Sequence, residues 1–163
     1  MAKKKQQHGA TAAVRALTEA GVAFTELPYE HEEGAGFGAE AAAKLGRDPG
    51  QVYKTLMITH DGQFALGVVP VAGKLDMKAA AAAMGWKSAS MADPAVAQKR
   101  SGYVVGGISP LGQKTPVTVL LDSGAQAFET VLVSGGKRGF DVELAPADLL
   151  AVTGGRYAPI AQG

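Results

Sequence analysis

The sequence predicts a single α/β domain, and three observations carry that expectation. The chain has 163 residues, close to the ~150 of one domain. Hydrophobic residues make up 47% and charged residues 19%, a balance suited to a packed core and unlike that of a disordered chain. Segments with helical spacing alternate with β-rich segments, without a repeat or a linker that would divide them.

Thr11 to Ala20 places Val14 and Leu17 at helical spacing, with Thr11 as cap and Gly21 as left-handed stop. Val22 to Leu27 reads as a strand, followed by Pro28-Tyr29, an acidic stretch and the loop Gly34 to Gly38. Ala39 to Leu45 is a short helix closed by Gly46. Val52 to Thr59 and Phe64 to Val71 form a hairpin joined through Asp61-Gly62. Asp76 caps a helix from Met77 to Met84, Lys87 to Met91 reads as a short strand, and Asp93-Pro94 opens a further helix to about Arg100. Tyr103 to Val105, Val117 to Leu121, Thr130 to Val133 and Val142 to Leu144 are strand candidates, and Pro146 to Thr153 is a closing helix. The expected total is about seven strands and five helices.

Sixteen Lys and Arg stand against fifteen Asp and Glu, so bulk charge points to no partner and any nucleic-acid contact must come from a local patch. The absence of cysteine excludes disulfides, Cys-ligated zinc and a protein thiol nucleophile, and fits a reducing cytoplasm. Arg15 interrupts the apolar stretch behind Lys3-Lys4-Lys5, so no secretion signal is expected. The longest uncharged run, Ser101 to Gln113, contains glycines and a proline and falls short of the ~20 apolar residues of a membrane helix. A soluble cytoplasmic protein with a flexible basic tail over residues 1–10 is expected.

Lys54 is the most informative single residue. Strand alternation places it on one face with Val52, Leu56 and Ile58. An ammonium there is costly unless it meets an anion, lies at a pocket mouth or snorkels to water, and its compact charge suits a phosphate or an ester oxygen. Gly106-Gly107-Ile108-Ser109-Pro110-Leu111-Gly112 is either an ordinary connection or a place where backbone amides approach a ligand. Ser109 does not sit in a G-x-S-x-G elbow, which disfavours a serine-hydrolase triad. Ser134-Gly135-Gly136-Lys137-Arg138-Gly139 is either a solvated turn or a phosphate seat, and it is not a Walker A motif. Gly34 to Ala39 satisfies G-x-G-x-x-[GA], but Glu32 and Glu33 would repel a pyrophosphate; Phe37 is of more interest there as an aromatic wall. His8, His31 and His60 lack ligand spacing, and no metal or cofactor is assigned.

Together, Gln51-Val52-Tyr53-Lys54-Thr55-Leu56, Pro70 to Asp76, Met91-Ala92-Asp93-Pro94, Gly102 to Lys114 and Val133 to Gly139 closely resemble the YbaK/EbsC family. These are the Cys-tRNA(Pro) deacylases, relatives of the ProX and prolyl-tRNA synthetase editing domains. The likeness runs in order from about Thr11 to Thr153. It implies one editing domain over residues 11–158, with a mixed, barrel-like β-sheet flanked by helices and a crevice for the aminoacylated 3' end of tRNA(Pro). By resemblance, Lys54 is the catalytic residue, anchoring the terminal phosphate and orienting the ester, and Thr55 stands beside it. Tyr29 and Phe37 line the pocket, Gly107 gives a backbone contact to the aminoacyl group, Ser109 is a further substrate-binding residue, and Ser134 and Asp141 complete the polar rim. The family chemistry implies that the thiol of the misattached cysteine attacks its own ester carbonyl. It also implies prolyl-tRNA synthetase as a partner. The glycine-rich Gly34 to Gly38 leaves an Ala-tRNA(Pro)-editing branch open, and a non-catalytic module binding nucleotide-like ligands is the rival from another class.

Overall fold

The computed structural model describes residues 11–32 and 37–162, Phe37 and Gly38 by their backbone alone. The basic tail expected at residues 1–10 lies outside them.

Among the described residues the α-helices are α1 (Ala12–Ala20), α2 (Phe37–Leu45), α3 (Met77–Met84), α4 (Pro94–Ser101) and α5 (Pro146–Thr153). The strands are β1 (Thr25–Pro28), β2 (Tyr53–His60), β3 (Gln63–Pro70), β4 (Lys74–Leu75), β5 (Ser90–Met91), β6 (Thr118–Asp122), β7 (Val131–Lys137), β8 (Phe140–Leu144), β9 (Arg156–Ala158) and β10 (Ala161–Gln162). The capping residues act as their types dictate. Thr11, Asp76 and Asp93 accept hydrogen bonds from the first-turn amides of α1, α3 and α4, and Gly21, Gly85 and Gly102 close those helices in the left-handed conformation. Asp61 and Gly62, with φ of 51° and 80°, make the tight hairpin joining β2 to β3.

One sheet has the order β5-β2-β3-β6-β9, with β2 antiparallel to β3 and β5, and β6 parallel to β3 and β9. A second, antiparallel sheet has the order β1-β8-β7. Among the described residues the two meet at a single bridge, Val52 to Leu132, where the Leu132 N–H donates to the Gln51 carbonyl at 3.1 Å. The sheet is therefore mixed, as the resemblance implies, but the described strands do not close into a barrel. The main core lies between the sheets and under α1 and α5, with Leu17, Leu66, Leu121 and Leu149 completely buried. Burying each such leucine contributes ~1.5–3 kcal/mol. A second cluster around Ile58, Leu120 and Ile160 packs under α3.

Tyr103 to Val105 is not a strand. Gly102 and Gly106 hold φ of 83° and 90°, so the chain turns on both sides of the short apolar run. Tyr103 instead buries its ring and donates its hydroxyl to the Leu111 carbonyl at 2.6 Å. The strands expected near Lys87 and Thr130 are displaced: β5 keeps only Ser90–Met91, whereas β7 continues to Lys137 through a bulge between Ser134 and Lys137. The fold also runs past residue 158, because β10 pairs with β4 and the buried Asp122 carboxylate accepts the Ile160 and Ala161 amides at 3.0 and 2.8 Å.

Candidate active site

The outer edge of β2 is paired at both ends and open between them. At one end Gln51 accepts from Leu132; at the other, the Met57 carbonyl accepts from the Ala92 N–H at 2.9 Å. The Val52 carbonyl points the other way, to Val71, so by strand alternation the Tyr53 carbonyl and the Thr55 peptide groups face the gap. A cleft of about 330 Å³ opens there, with β2 as its floor, β7 and β8 on one side, and β5, α4 and the segment through Val105 and Gly106 on the other.

Lys54, Thr55, Tyr29, Ser134 and Asp141 all line this cleft. Lys54 is half-buried on the β2 face that carries Val52, 1% exposed, and Ile58, 0% exposed, with one apolar cluster on each side. Its ammonium has no ion-pair partner among the described residues. Beside it the Thr55 hydroxyl is buried without a hydrogen-bond partner. Unmade hydrogen bonds of this kind are costly, and a ligand in the cleft would satisfy them.

Ser134 and Asp141 are direct cross-strand partners on β7 and β8, and Leu27 of β1 lies opposite Asp141 on its other side. The Ser134 hydroxyl accepts the Gly136 amide at 3.1 Å across the bulge. Asp141 is 5% exposed, and burial pushes its carboxyl up to about 7. Tyr29 is positioned by its N–H, which donates to the Gly139 carbonyl at 2.9 Å. Burial, followed by the charges of Asp141 and Glu40, pushes the Tyr29 phenol up to about 12, so it serves as a donor at neutral pH.

Other flagged residues stand differently. Phe37 opens α2, earlier than the expected Ala39, and its side chain lies outside the described residues. Gly107 is buried behind the lining residues Gly106 and Ile108, and its N–H donates to the Val104 carbonyl at 2.8 Å. A Cβ at Gly107 would lie 2.8 Å from the Lys137 backbone, so this wall of the cleft presses directly on the β7–β8 hairpin. Gly107→Ala is expected to cost ~1–3 kcal/mol of stability, because backbone rather than a side-chain tip must move. A denaturant midpoint equal to that of the unsubstituted protein would refute this. Ser109 is completely buried and its hydroxyl accepts the Leu111 amide at 3.2 Å, which fixes the turn below the wall.

Glu40 escaped the sequence reasoning, since a single glutamate in an Ala-rich helix carries no signal. Its side chain is 3% exposed, meets the His31 ring at 2.7 Å and accepts the Glu32 amide at 2.7 Å, which ties the segment after Tyr29 to α2. The His31 hydrogen bond is the largest cause holding the Glu40 carboxyl below the usual range. Arg47 similarly clamps Glu143 of β8 through two bonds of 2.8 Å, and the Thr130 hydroxyl donates to the same carboxylate at 2.6 Å. These contacts hold the cleft wall without entering it.

The arrangement offers one cation, a phenol, two hydroxyls and a buried carboxyl around a groove with apolar walls. Its described lining contains no histidine. Such a site suits binding and orientation of an anionic ligand carrying a small polar group, and it lacks a nucleophile paired with an imidazole base.

The model of the family described as aminoacyl-tRNA editing domain matches residues 31–152. Over 161 residues the chain is 34% identical to the protein of Enterococcus faecalis named "Putative Cys-tRNA(Pro)/Cys-tRNA(Cys) deacylase EbsC", covering 98% of each. A solved structure described as "a putative trans-editing enzyme for prolyl tRNA synthetase" superposes with a TM-score of 0.80 at 26% identity, covering 96% of each chain. A structure of a hypothetical protein superposes with a TM-score of 0.83 at 23% identity over 93% of this chain and 99% of its own, a likeness of fold.

Proposed function

The chain belongs to the aminoacyl-tRNA editing domain family, and from that premise we propose that it deacylates Cys-tRNA(Pro), with Cys-tRNA(Cys) as a second substrate. The observation that carries this is Lys54: an ammonium without a protein anion among the described residues, on the floor of a cleft between apolar clusters. A terminal phosphate of the tRNA 3' end is a fitting counter-ion. Thr55 and the open β2 edge supply donors and acceptors beside it. Tyr29, Ser134 and Asp141 form the polar rim around the aminoacyl group, Phe37 is assigned to the pocket by the family resemblance, and Gly107 and Ser109 support the wall from behind.

The chain has no cysteine, and its cleft has no serine–histidine pair among the described lining residues. As the family resemblance implies, the nucleophile in this reading is the substrate's own sulfur. The cysteinyl thiol adds to its ester carbonyl, the tetrahedral adduct collapses, and the ribose oxygen leaves with the proton that the thiol gives up. The product is a thiolactone, which water opens to cysteine. The protein's contribution is orientation of the ester and stabilisation of the developing charge. Selectivity follows from the chemistry, because an aminoacyl group without a thiol lacks the attacking atom even when it binds. Prolyl-tRNA synthetase is the natural partner in this reading, supplying the mischarged tRNA(Pro).

A panel of charged tRNAs tests the proposal. Cysteine should leave tRNA(Pro) rapidly, while serine on the same tRNA should remain for at least ~100 times longer. Rapid release of serine would rule out obligatory thiol attack; release of alanine alone would place the chain in an alanyl-editing branch; release of nothing would favour a binding module.

A further inference from the structure

We infer that the cleft has a basic shoulder, built around Lys114 and Lys137, on which the double-helical acceptor stem of an RNA rests while its single-stranded end enters the cleft. The inference rests on the functional reading above and extends it to the RNA body. From Pro94 to Leu121 the chain has no acidic residue, and this stretch contains the wall formed by Val105 and Gly106. Lys114 and Lys137 are both exposed and lie near opposite ends of that wall. At its start, a Cβ on Gly102 would sit 3.1 Å from the Lys114 Cβ; at its end, one on Gly107 would sit 2.8 Å from the Lys137 backbone.

Between these ends Tyr103 lies against Gly136, and Arg138 donates through Nε to the Val105 carbonyl at 2.9 Å, so the shoulder and the cleft wall are one packed unit. Exposed cations beside this acid-free stretch give a polyanion an approach. Phosphates of a stem leaving the cleft over Val104, which is 48% exposed, would meet Lys114 and Lys137. Neither Lys114, in the loop between α4 and β6, nor Lys137, at the end of β7, is among the residues lining the cleft, so the expected contact is with backbone phosphates and is independent of base identity.

The test compares Lys114→Ala and Lys137→Ala with Lys78→Ala, an exposed lysine on α3 away from the cleft lining. Binding of an uncharged RNA hairpin ending in CCA, and of the CCA trinucleotide alone, is followed by fluorescence anisotropy over a salt series. Each shoulder variant should weaken hairpin binding by about fivefold or more and lower the slope of log K against log salt by about one. Its effect on the hairpin should exceed its effect on the trinucleotide at least fivefold, and Lys78→Ala should bind like the unsubstituted chain. The inference is overturned if the chain does not bind the hairpin, if neither shoulder variant changes binding, if Lys78→Ala loses as much, or if hairpin and trinucleotide suffer equally. A chain that releases no amino acid from any charged tRNA would defeat the deacylase reading alone, since the binding series decides the shoulder independently.

Discussion

Lys54→Ala should lower kcat/KM for release of cysteine from Cys-tRNA(Pro) by about two to three orders of magnitude, the usual effect of removing a group that stabilises charge in a water-poor site. The fold should survive. The ammonium has no protein anion among the described residues, and its face is shared with Val52 and Ile58, both essentially inaccessible to solvent. Its removal orphans no charge and exposes little apolar surface, so the melting temperature should stay level or rise slightly. Single-turnover deacylation beside thermal unfolding separates the two quantities. Full activity in the variant would end the assignment of Lys54, and collapse of the fold would show that its alkyl chain is a packing element instead.

The second large effect is on pH-dependent stability. Burial raises the Asp141 carboxyl from 3.8 to about 7, so the folded protein holds this proton more tightly than the unfolded chain. Below about pH 4 both states are protonated and ionisation costs nothing. Between about pH 4 and 7 the unfolded chain releases the proton first and stability falls; above about 7 both states are ionised and the loss levels off. At ~1.36 kcal/mol per pH unit, the total is on the order of 4 kcal/mol. Asp141→Asn removes this dependence. Urea unfolding should show the variant gaining on the unsubstituted protein as pH rises from 4 to 8, with most of the difference in place by pH 7.5. Parallel curves would mean that the carboxylate is better solvated in the cleft than its 5% exposure implies.

What was legible in the sequence was local. Lys54 could be singled out because strand alternation is a short-range rule, and the β2–β3 hairpin could be placed because Asp61-Gly62 supplies the left-handed backbone such a turn requires. The caps at Thr11, Asp76 and Asp93 follow from side-chain chemistry next to helical spacing. The resemblance then drew attention to Tyr29, Ser134 and Asp141, which meet in the cleft although no local pattern links them. The opposition of Ser134 and Asp141 arises from a bulge that shifts the register after Ser134, and that shift depends on how Gly135 and Gly136 pack against Phe140, Thr11 and Tyr103. The bridge from Gln51 to Leu132 joins segments remote in sequence, so the gap in the β2 edge was invisible beforehand. Two-residue strands such as β4 and β10 are too short to leave a periodic trace.

The gap in the β2 edge also bears on how the chain avoids sticking to its own kind. A bare strand margin normally invites intermolecular pairing and aggregation, and proteins blunt it with charge, proline or a covering element. Here the open stretch is confined to the outward groups around Thr55, and the chain's own β5 and β7 stand at either end like stops. A foreign strand cannot find enough consecutive partners in so short an opening, whereas a small guest can. The molecule thereby keeps adhesive backbone available without becoming a seed for fibrils.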